Sequence, residues 1–202
     1  MNFINFISAA LAFLSGVIFI YSILKGESRP SLAALTVFFF VISASIISGL
    51  ALGGTLAIIP SVVNLILLTT GIIIILVKKI GYISFSNFDK LCLFIVFIGF
   101  LLWPITKNPF TLLVISTLID IVGVLLVIKK LLRDKHSESL ASWLAVSLSY
   151  LIPVFFAHDI NLHNSLYSIS NGLFCLLIPI ILCFQSLVVK LQSIELPKKI
   201  NL

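Results

Sequence analysis

The sequence predicts an all-α, polytopic membrane protein: seven transmembrane helices in a 3+1+3 arrangement, two parallel three-helix-bundle repeats around one linker helix. Composition is the first observation. Of 202 residues, 60% are hydrophobic and 10% are charged, which is more apolar surface than one water-soluble core of this length can bury. The second is that apolar runs recur at lengths near the roughly 20 residues that span a bilayer. The third is that the pattern of runs repeats.

The apolar runs define the predicted helices in order: about 4–24, 31–50, 55–77, 88–105, 109–130, 139–157 and 165–189. The first run has no basic segment before it and exceeds the usual core of a signal peptide, so we expect it to be a helix. The fourth ends early at Trp103-Pro104, and Asn108-Pro109 turns the chain before the fifth. The predicted units are a first repeat (1–80), a linker helix (81–108), a second repeat (109–191) and a short cytoplasmic tail (192–202).

The repeat is carried by glycine and polar positions, because matching apolar residues mean little in so apolar a chain. Three residues recur 107 positions later: Gly16 as Gly123, Ser61 as Ser168, and Asn64 as Asn171. Ser31-Leu32-Ala33 also returns as Ser139-Leu140-Ala141 after a slip of one residue. Duplicated helix bundles of this kind are typical of membrane transporters.

The basic residues predict the orientation. Of the 13 Lys and Arg residues, 12 follow predicted helices one, three, five and seven, which all end on the same side of the membrane. Only Lys107, after helix four, lies on the opposite side. Basic residues collect in cytoplasmic loops, so we expect the N-terminus outside and the C-terminus in the cytoplasm, in a plasma (inner) membrane. The net charge of +6 is spread over four short segments rather than one face, so topology explains it and no nucleic-acid partner is predicted.

This layout resembles the SWEET and PQ-loop transporter families over nearly the whole chain, as a divergent, bacterial-type seven-helix member. The second loop is the closer match: Lys129-Lys130, then Ser137-Glu138-Ser139-Leu140 and Trp143, is similar to the segment that follows the PQ pair. The first copy, Lys25 to Leu35, matches less well. Neither stretch after Gly16 or Gly123 contains the family's proline, so the proline hinge of these families is not expected here. Pro60, Pro153 and Pro179 are other points where helices could kink.

The resemblance implies a substrate pocket lined by an asparagine from the third helix of each half, and Asn64 and Asn171 match those positions. Physical chemistry independently requires that amides in hydrocarbon face the protein interior or a wet cavity. Ser61 and Ser168, one turn earlier on the same helix faces, are predicted secondary contacts. The alternative is that both asparagine side chains form hydrogen bonds that hold helices together, as polar residues in membrane bundles often do.

Asp120 is the one charged residue deep inside a predicted span, near the bilayer midplane. An ionisable group at that depth is a functional hypothesis by default. It could take up and release a proton as the pocket opens and closes. The alternative is a hydrogen-bonded carboxyl that holds helices five and six together through Ser147 or Tyr150.

The predicted function is a transporter that moves a small polar solute by alternating access, and uncharged metabolites such as sugars fit the paired amides. One alternative is a proton-coupled carrier of an amino acid or vitamin that uses Asp120. The other is a membrane receptor or assembly scaffold that does not transport. Nicotinamide riboside carriers have a related helix arrangement, but their ring would require stacking aromatics, and no aromatic pair is expected on helix six.

The sequence predicts no enzyme activity, cofactor or metal site. It has no catalytic triad pattern and no glycine-rich phosphate loop. Cys92, Cys175 and Cys183 lack metal-ligand spacing, and the loop with His158, Asp159 and His163 needs no metal to explain it. Trp143 is predicted to anchor in the headgroup region. The expected partners are the lipid bilayer and the solute. One chain supplies both halves of a pathway, so a monomer could suffice, and a homo-oligomer is the alternative.

Overall fold

A computed structural model describes residues 3–53, 58–134, 137–156 and 162–195, with side chains at 103–104, 162–164 and 188–195 left out of account. These ranges hold seven α-helices: α1 (Phe3–Leu24), α2 (Leu32–Ala51), α3 (Ile58–Lys78), α4 (Asn87–Thr106), α5 (Pro109–Leu131), α6 (Leu140–Phe155) and α7 (Leu162–Glu195). The predicted all-α fold is confirmed for this part of the chain. The largest departure is that α7 continues to Glu195, so the predicted tail from 192 begins as helix.

Helix length and composition suggest a membrane-embedded protein. Within the described ranges, five helices are long and apolar enough to cross a bilayer: α1, α2, α3, α5 and residues 165–187 of α7. α6 is apolar but has only 16 residues. Many large apolar side chains on the outer faces of the helices are exposed, Phe94 and Phe97 of α4 among them. Such faces suit contact with lipid rather than water.

Local sequence signals fix several helix ends. Pro109 occupies the first turn of α5, where a missing N–H costs nothing, and the side chain of Asn108 caps the helix by accepting from the Phe110 N–H at 2.9 Å. The Ser139 side chain accepts from the Ser142 N–H and begins α6 in the same way. Pro153 lies inside α6 and Pro179 inside α7.

The helices pack in a definite order. α2 lies between α3 and α5, α1 contacts α3 and α6, and α7 contacts α5 and α6. α4 lies at the edge, against α5 and α2. The core at the α2–α5 contact is aliphatic, with Val37, Val41, Val124 and Val127 buried there.

Serine hydroxyls tie the helices together. Ser15 of α1 and Ser142 of α6 each donate to the other's backbone carbonyl, at 2.9 and 3.0 Å. The Ser8 hydroxyl donates to the Ser149 carbonyl, also between α1 and α6. Ser147 of α6 donates to the Gly172 carbonyl of α7 at 2.7 Å. Small residues let helix backbones approach closely, and hydrogen bonds between helices suit a bundle in lipid.

Three basic connections meet at one end of the bundle, here called the basic end: residues 25–31, 79–86, and 132–134 with 137–139. The Ser137 carbonyl accepts from the Ser28 hydroxyl at 2.9 Å and from the Arg29 N–H at 3.1 Å. The Tyr82 hydroxyl donates to Asp134 at 3.2 Å. The prediction that these connections share one side is therefore consistent with the fold, and the side of the membrane that they face stays a prediction.

Gly16 permits the closest approach of α1 and α3. A Cβ at Gly16 would lie 2.5 Å from Leu67 Cβ, an atom that a rotamer change cannot move, whereas a Cβ at Gly49 would meet only ordinary contacts at 3.5 Å. Gly16→Ala should therefore lower the free energy of unfolding by about 1–3 kcal/mol. Gly49→Ala is the matched control, with little loss expected. Denaturant unfolding in detergent checks this, and equal stability of the two variants would contradict the packing described.

Candidate functional site

A cavity of about 100 Å³ lies inside the bundle, between α1, α2, α3, α5, α6 and α7. It runs from Pro30, Ser31 and Glu138 at the basic end to the level of Asn64 and Asn171 near the bundle centre. Most of its wall is apolar: Phe19, Leu35, Phe38, Leu67, Leu68 and Trp143. A chamber with apolar walls and a few polar groups is the usual form of a small-molecule site.

Both predicted pocket asparagines line this cavity, Asn64 from α3 and Asn171 from α7. The two serines do not. Ser61 is buried behind the wall and hydrogen-bonds to Tyr150 at 3.3 Å, while the Ser168 hydroxyl has no hydrogen-bond partner among the described residues. The structure thus brings the asparagines to one chamber and keeps the serines behind it.

Tyr150 of α6 links the two predicted halves. Its hydroxyl accepts a hydrogen bond from the Asn64 amide at 3.3 Å and shares another with Ser61 at the same distance. The side chain is 1% exposed and lies where the cavity ends. A buried hydroxyl needs such partners. The hydrogen bonds of Tyr150 therefore join α6 to α3 at the inner end of the cavity.

Asn171 is the most connected polar residue of the site. Its amide donates to Asp120 Oδ2 at 3.0 Å and to the Tyr167 hydroxyl at 3.1 Å, and its oxygen accepts from the Cys175 thiol at 3.4 Å. Asp120 is 1% exposed, and its other oxygen, Oδ1, has no partner among the described residues. The site therefore combines a pocket amide with a buried carboxyl.

Asp120 does not have the partners that one of its two interpretations named. That alternative gave Ser147 or Tyr150 of α6, and the carboxyl instead accepts from Asn171 of α7. The reason is that both predicted partners are engaged elsewhere: Ser147 donates to the Gly172 carbonyl and Tyr150 bonds to α3. Asp120 therefore connects helices α5 and α7.

Tyr167 was missed by the sequence analysis. Its ring meets that of Tyr150 edge-on at 5.7 Å between centroids, and it is 2% exposed. A series of contacts between polar side chains, here called the polar chain, consequently crosses the bundle from Asn64 through Tyr150, Tyr167 and Asn171 to Asp120. All its links are hydrogen bonds except the ring contact between Tyr150 and Tyr167. The available signal was spacing, because Tyr167 precedes Asn171 by four residues and so shares its helix face.

Trp143 lines the cavity, and its anchoring in the headgroup region stays a prediction. Its indole N–H donates to Glu138 Oε2 at 2.9 Å, and its ring packs edge-on against Phe38 at 5.9 Å. The other oxygen of Glu138 lies 3.5 Å from the Lys130 ammonium. Burial raises the pKa of Glu138 above its ordinary value of 4.5, although Lys130 and the Trp143 indole oppose this.

An aromatic pair does line the cavity from α6, contrary to expectation: Trp143 and Tyr150. Seven residues make about two turns of helix, so both side chains point the same way. The two positions lie about 10 Å apart along the helix, however, so the expected lack of aromatics that stack on one planar solute stays a prediction.

No group of three His, Cys, Asp or Glu side chains within the described ranges could hold a metal ion. His158 and Asp159, and the side chain of His163, lie outside what the structure describes.

The chain matches no protein-family model, no curated protein and no solved structure. The resemblance to SWEET and PQ-loop transporters therefore stays a prediction.

Removing the Tyr150 hydroxyl tests the polar chain. Tyr150→Phe leaves Asn64 and Ser61 without this partner, and it should lower the free energy of unfolding by about 1 kcal/mol. Tyr21→Phe is the control, because Tyr21 is 54% exposed on α1. Chemical denaturation of both variants in the same detergent measures the difference. A Tyr150→Phe protein as stable as Tyr21→Phe would show that these hydrogen bonds contribute nothing.

The raised pKa of Glu138 predicts the direction in which stability changes with pH. The folded protein holds this proton more tightly than the unfolded chain, so the stabilisation is fully present below the unfolded pKa and is lost as pH rises through the folded pKa. Melting temperatures of the wild type should therefore fall relative to Glu138→Gln as the pH rises above the ordinary carboxyl pKa of 4.5. Glu27→Gln, at an exposed position of the basic end, is the matched control and should follow the wild type. A constant difference between wild type and Glu138→Gln would contradict the assignment.

Proposed function

We propose that this protein is a membrane carrier that moves a small solute by alternating access between two pseudo-symmetric halves, as a divergent relative of SWEET and PQ-loop transporters. The observation that carries the proposal is that Asn64 and Asn171, which are 107 positions apart in the predicted repeat, line one cavity between α3 and α7. Amides from both halves could then contact one solute from opposite sides.

The order of helix contacts supports the duplicated 3+1+3 arrangement. Three pairs of contacts correspond when α1, α2 and α3 are exchanged with α5, α6 and α7: α1–α3 with α5–α7, α2–α3 with α6–α7, and α2–α5 with α6–α1. α4 has no counterpart, as a linker helix would not. Two halves that contact each other through equivalent surfaces are suited to rocking about a central site.

A carrier of this kind needs the cavity to be closed on the side opposite the basic end, and the polar chain can close it there. Cavity-lining residues stop at Tyr150, where its hydroxyl meets Asn64 and Ser61. Opening that side would break these hydrogen bonds, and each is worth only about 0.6–1.7 kcal/mol between membrane helices. Because breaking these hydrogen bonds costs so little free energy, the closed and open conformations can have similar free energies. Pro153 and Pro179, which lie inside α6 and α7, are the proposed bending points in place of the missing PQ prolines. Pro60, predicted as a third such point, lies in the first turn of the described part of α3, where a proline breaks no helix hydrogen bond.

Proton coupling is the second candidate, and the bond between Asp120 and Asn171 favours it. A solute that accepts from the Asn171 amide would compete with Asp120 Oδ2, which lies 3.0 Å from that nitrogen. Solute binding would thereby change the hydrogen bonding of a buried carboxyl, and such a change is the physical basis of linkage between solute and proton.

The test compares the wild type with an Asn64→Ala, Asn171→Ala double variant. A thermal-shift panel of sugars, amino acids, vitamins and amines selects the solute, since a ligand that binds only the folded state raises the melting temperature. Uptake of that solute into proteoliposomes should then fall by at least about tenfold in the double variant, as expected for the loss of two hydrogen bonds. Asn87→Ala, at the exposed start of α4, is the control.

Three outcomes are decisive. Undiminished uptake in the double variant would remove the asparagines from the pathway. A folded protein that binds solute through these asparagines and does not move it would favour a receptor. Asp120→Asn should flatten the pH dependence of uptake if coupling operates, and an unchanged profile would remove the proton-coupled alternative.

A further inference from the structure

We propose that the cavity takes a lipophilic organic cation, namely a protonated amine on a compact aromatic body, with Glu138 as its counter-ion. This inference rests on the proposed function, because it names the class of solute for the same cavity. It replaces the expectation of a sugar, and three features of the cavity wall lead to it.

The first feature is that most polar side chains of the wall are hydrogen-bonded within the protein. Ser15 and Ser142 are hydrogen-bonded to each other's backbone, and the Asn64 and Asn171 amides donate to neighbouring side chains. A sugar carries a hydroxyl on nearly every carbon, and each hydroxyl left unpaired on entering an apolar site costs about 1–3 kcal/mol. An apolar body avoids this cost.

The second feature is charge. Among the described residues that line the cavity, Glu138 is the one with a charged side chain, and Lys130 is not part of the lining. The Glu138 side chain is 3% exposed, so its field is little screened by water. Such a carboxylate repels anions and attracts cations. The indole of Trp143, hydrogen-bonded to the same carboxylate, adds an aromatic face of the kind that attracts ammonium groups.

The third feature is that Glu138 can change partner. Its Oε1 lies 3.5 Å from Lys130 Nζ, well beyond the roughly 2.7–2.9 Å of a strong charge-assisted hydrogen bond. Lys130 has other electrostatic neighbours, since its ammonium lies 4.8 Å from the Tyr82 ring and interacts with Asp134. A solute ammonium could therefore replace Lys130 at Glu138 while Lys130 keeps compensation from Asp134.

The experiment measures the binding of three matched probes to purified wild-type protein in lipid nanodiscs at neutral pH: phenethylamine, 2-phenylethanol and 3-phenylpropionate. They share a phenyl body and differ in charge. The amine should bind at least about tenfold more tightly than the alcohol, which corresponds to one charge-assisted hydrogen bond, and the anion should bind more weakly than both. Equal binding of amine and alcohol, or tighter binding of the anion, would overturn the proposal.

Two variants assign the effect to Glu138. Glu138→Gln keeps an acceptor for the Trp143 indole and should remove the preference for the amine without weakening the alcohol. Lys130→Gln removes the competing ammonium and should tighten amine binding, a result that a purely structural ion pair does not predict. Glu27→Gln, which removes an exposed acid at the same end, should change none of the three affinities. If Glu138→Gln does not fold, the proposal is still tested by the three-probe comparison in the wild type and by amine binding to Lys130→Gln.

Uptake separates this inference from the proposed function. Amine-selective binding without phenethylamine uptake into proteoliposomes would contradict the carrier and leave the cation site standing. Asparagine-dependent uptake of an uncharged solute, with no preference for the amine, would support the carrier and overturn the cation site.

Discussion

A polar side chain buried among apolar helices has to find its partner inside the protein, and that constraint organises the centre of this bundle. Asn64, Tyr150, Asn171 and Asp120 come from four different helices, and each lies within 3.0–3.3 Å of the next or is joined to it through Tyr167. The serine bonds between α1 and α6 extend the same principle. Helix positions near the centre are set by these bonds as much as by aliphatic packing.

The two ends of the cavity are chemically different. Its inner end carries neutral amides and a phenol hydroxyl, whereas its basic end carries a buried carboxylate beside an indole. The proposed carrier would use the first set to hold the halves together and the second to select its solute. Because hydrogen bonds between membrane helices are individually weak, the same contacts can specify a structure and still exchange during a transport cycle.

Helix limits could be predicted because apolar runs and proline positions are local properties of the sequence. Asn108-Pro109 is an example, since cap and first turn are adjacent in the chain. The pocket asparagines could also be located, because an amide in hydrocarbon must face inward. Pairings between helices could not. Gly16 and Gly123 occupy equivalent positions of the predicted repeat, yet the first lies against Leu67 and the second against Phe38. The choice of Asn171 as partner of Asp120 depends likewise on which helices become neighbours.

Accessibility of Cys175 tests alternating access most directly. This free, buried thiol lines the cavity and donates to Asn171, so it reports which side the site opens to. In a variant that keeps Cys175 alone, with Cys92→Ala and Cys183→Ser, a membrane-impermeant thiol reagent should label it from either side of oriented proteoliposomes, and bound solute should slow both reactions. Labelling from one side only, with and without solute, would contradict a carrier and indicate a one-sided binding site.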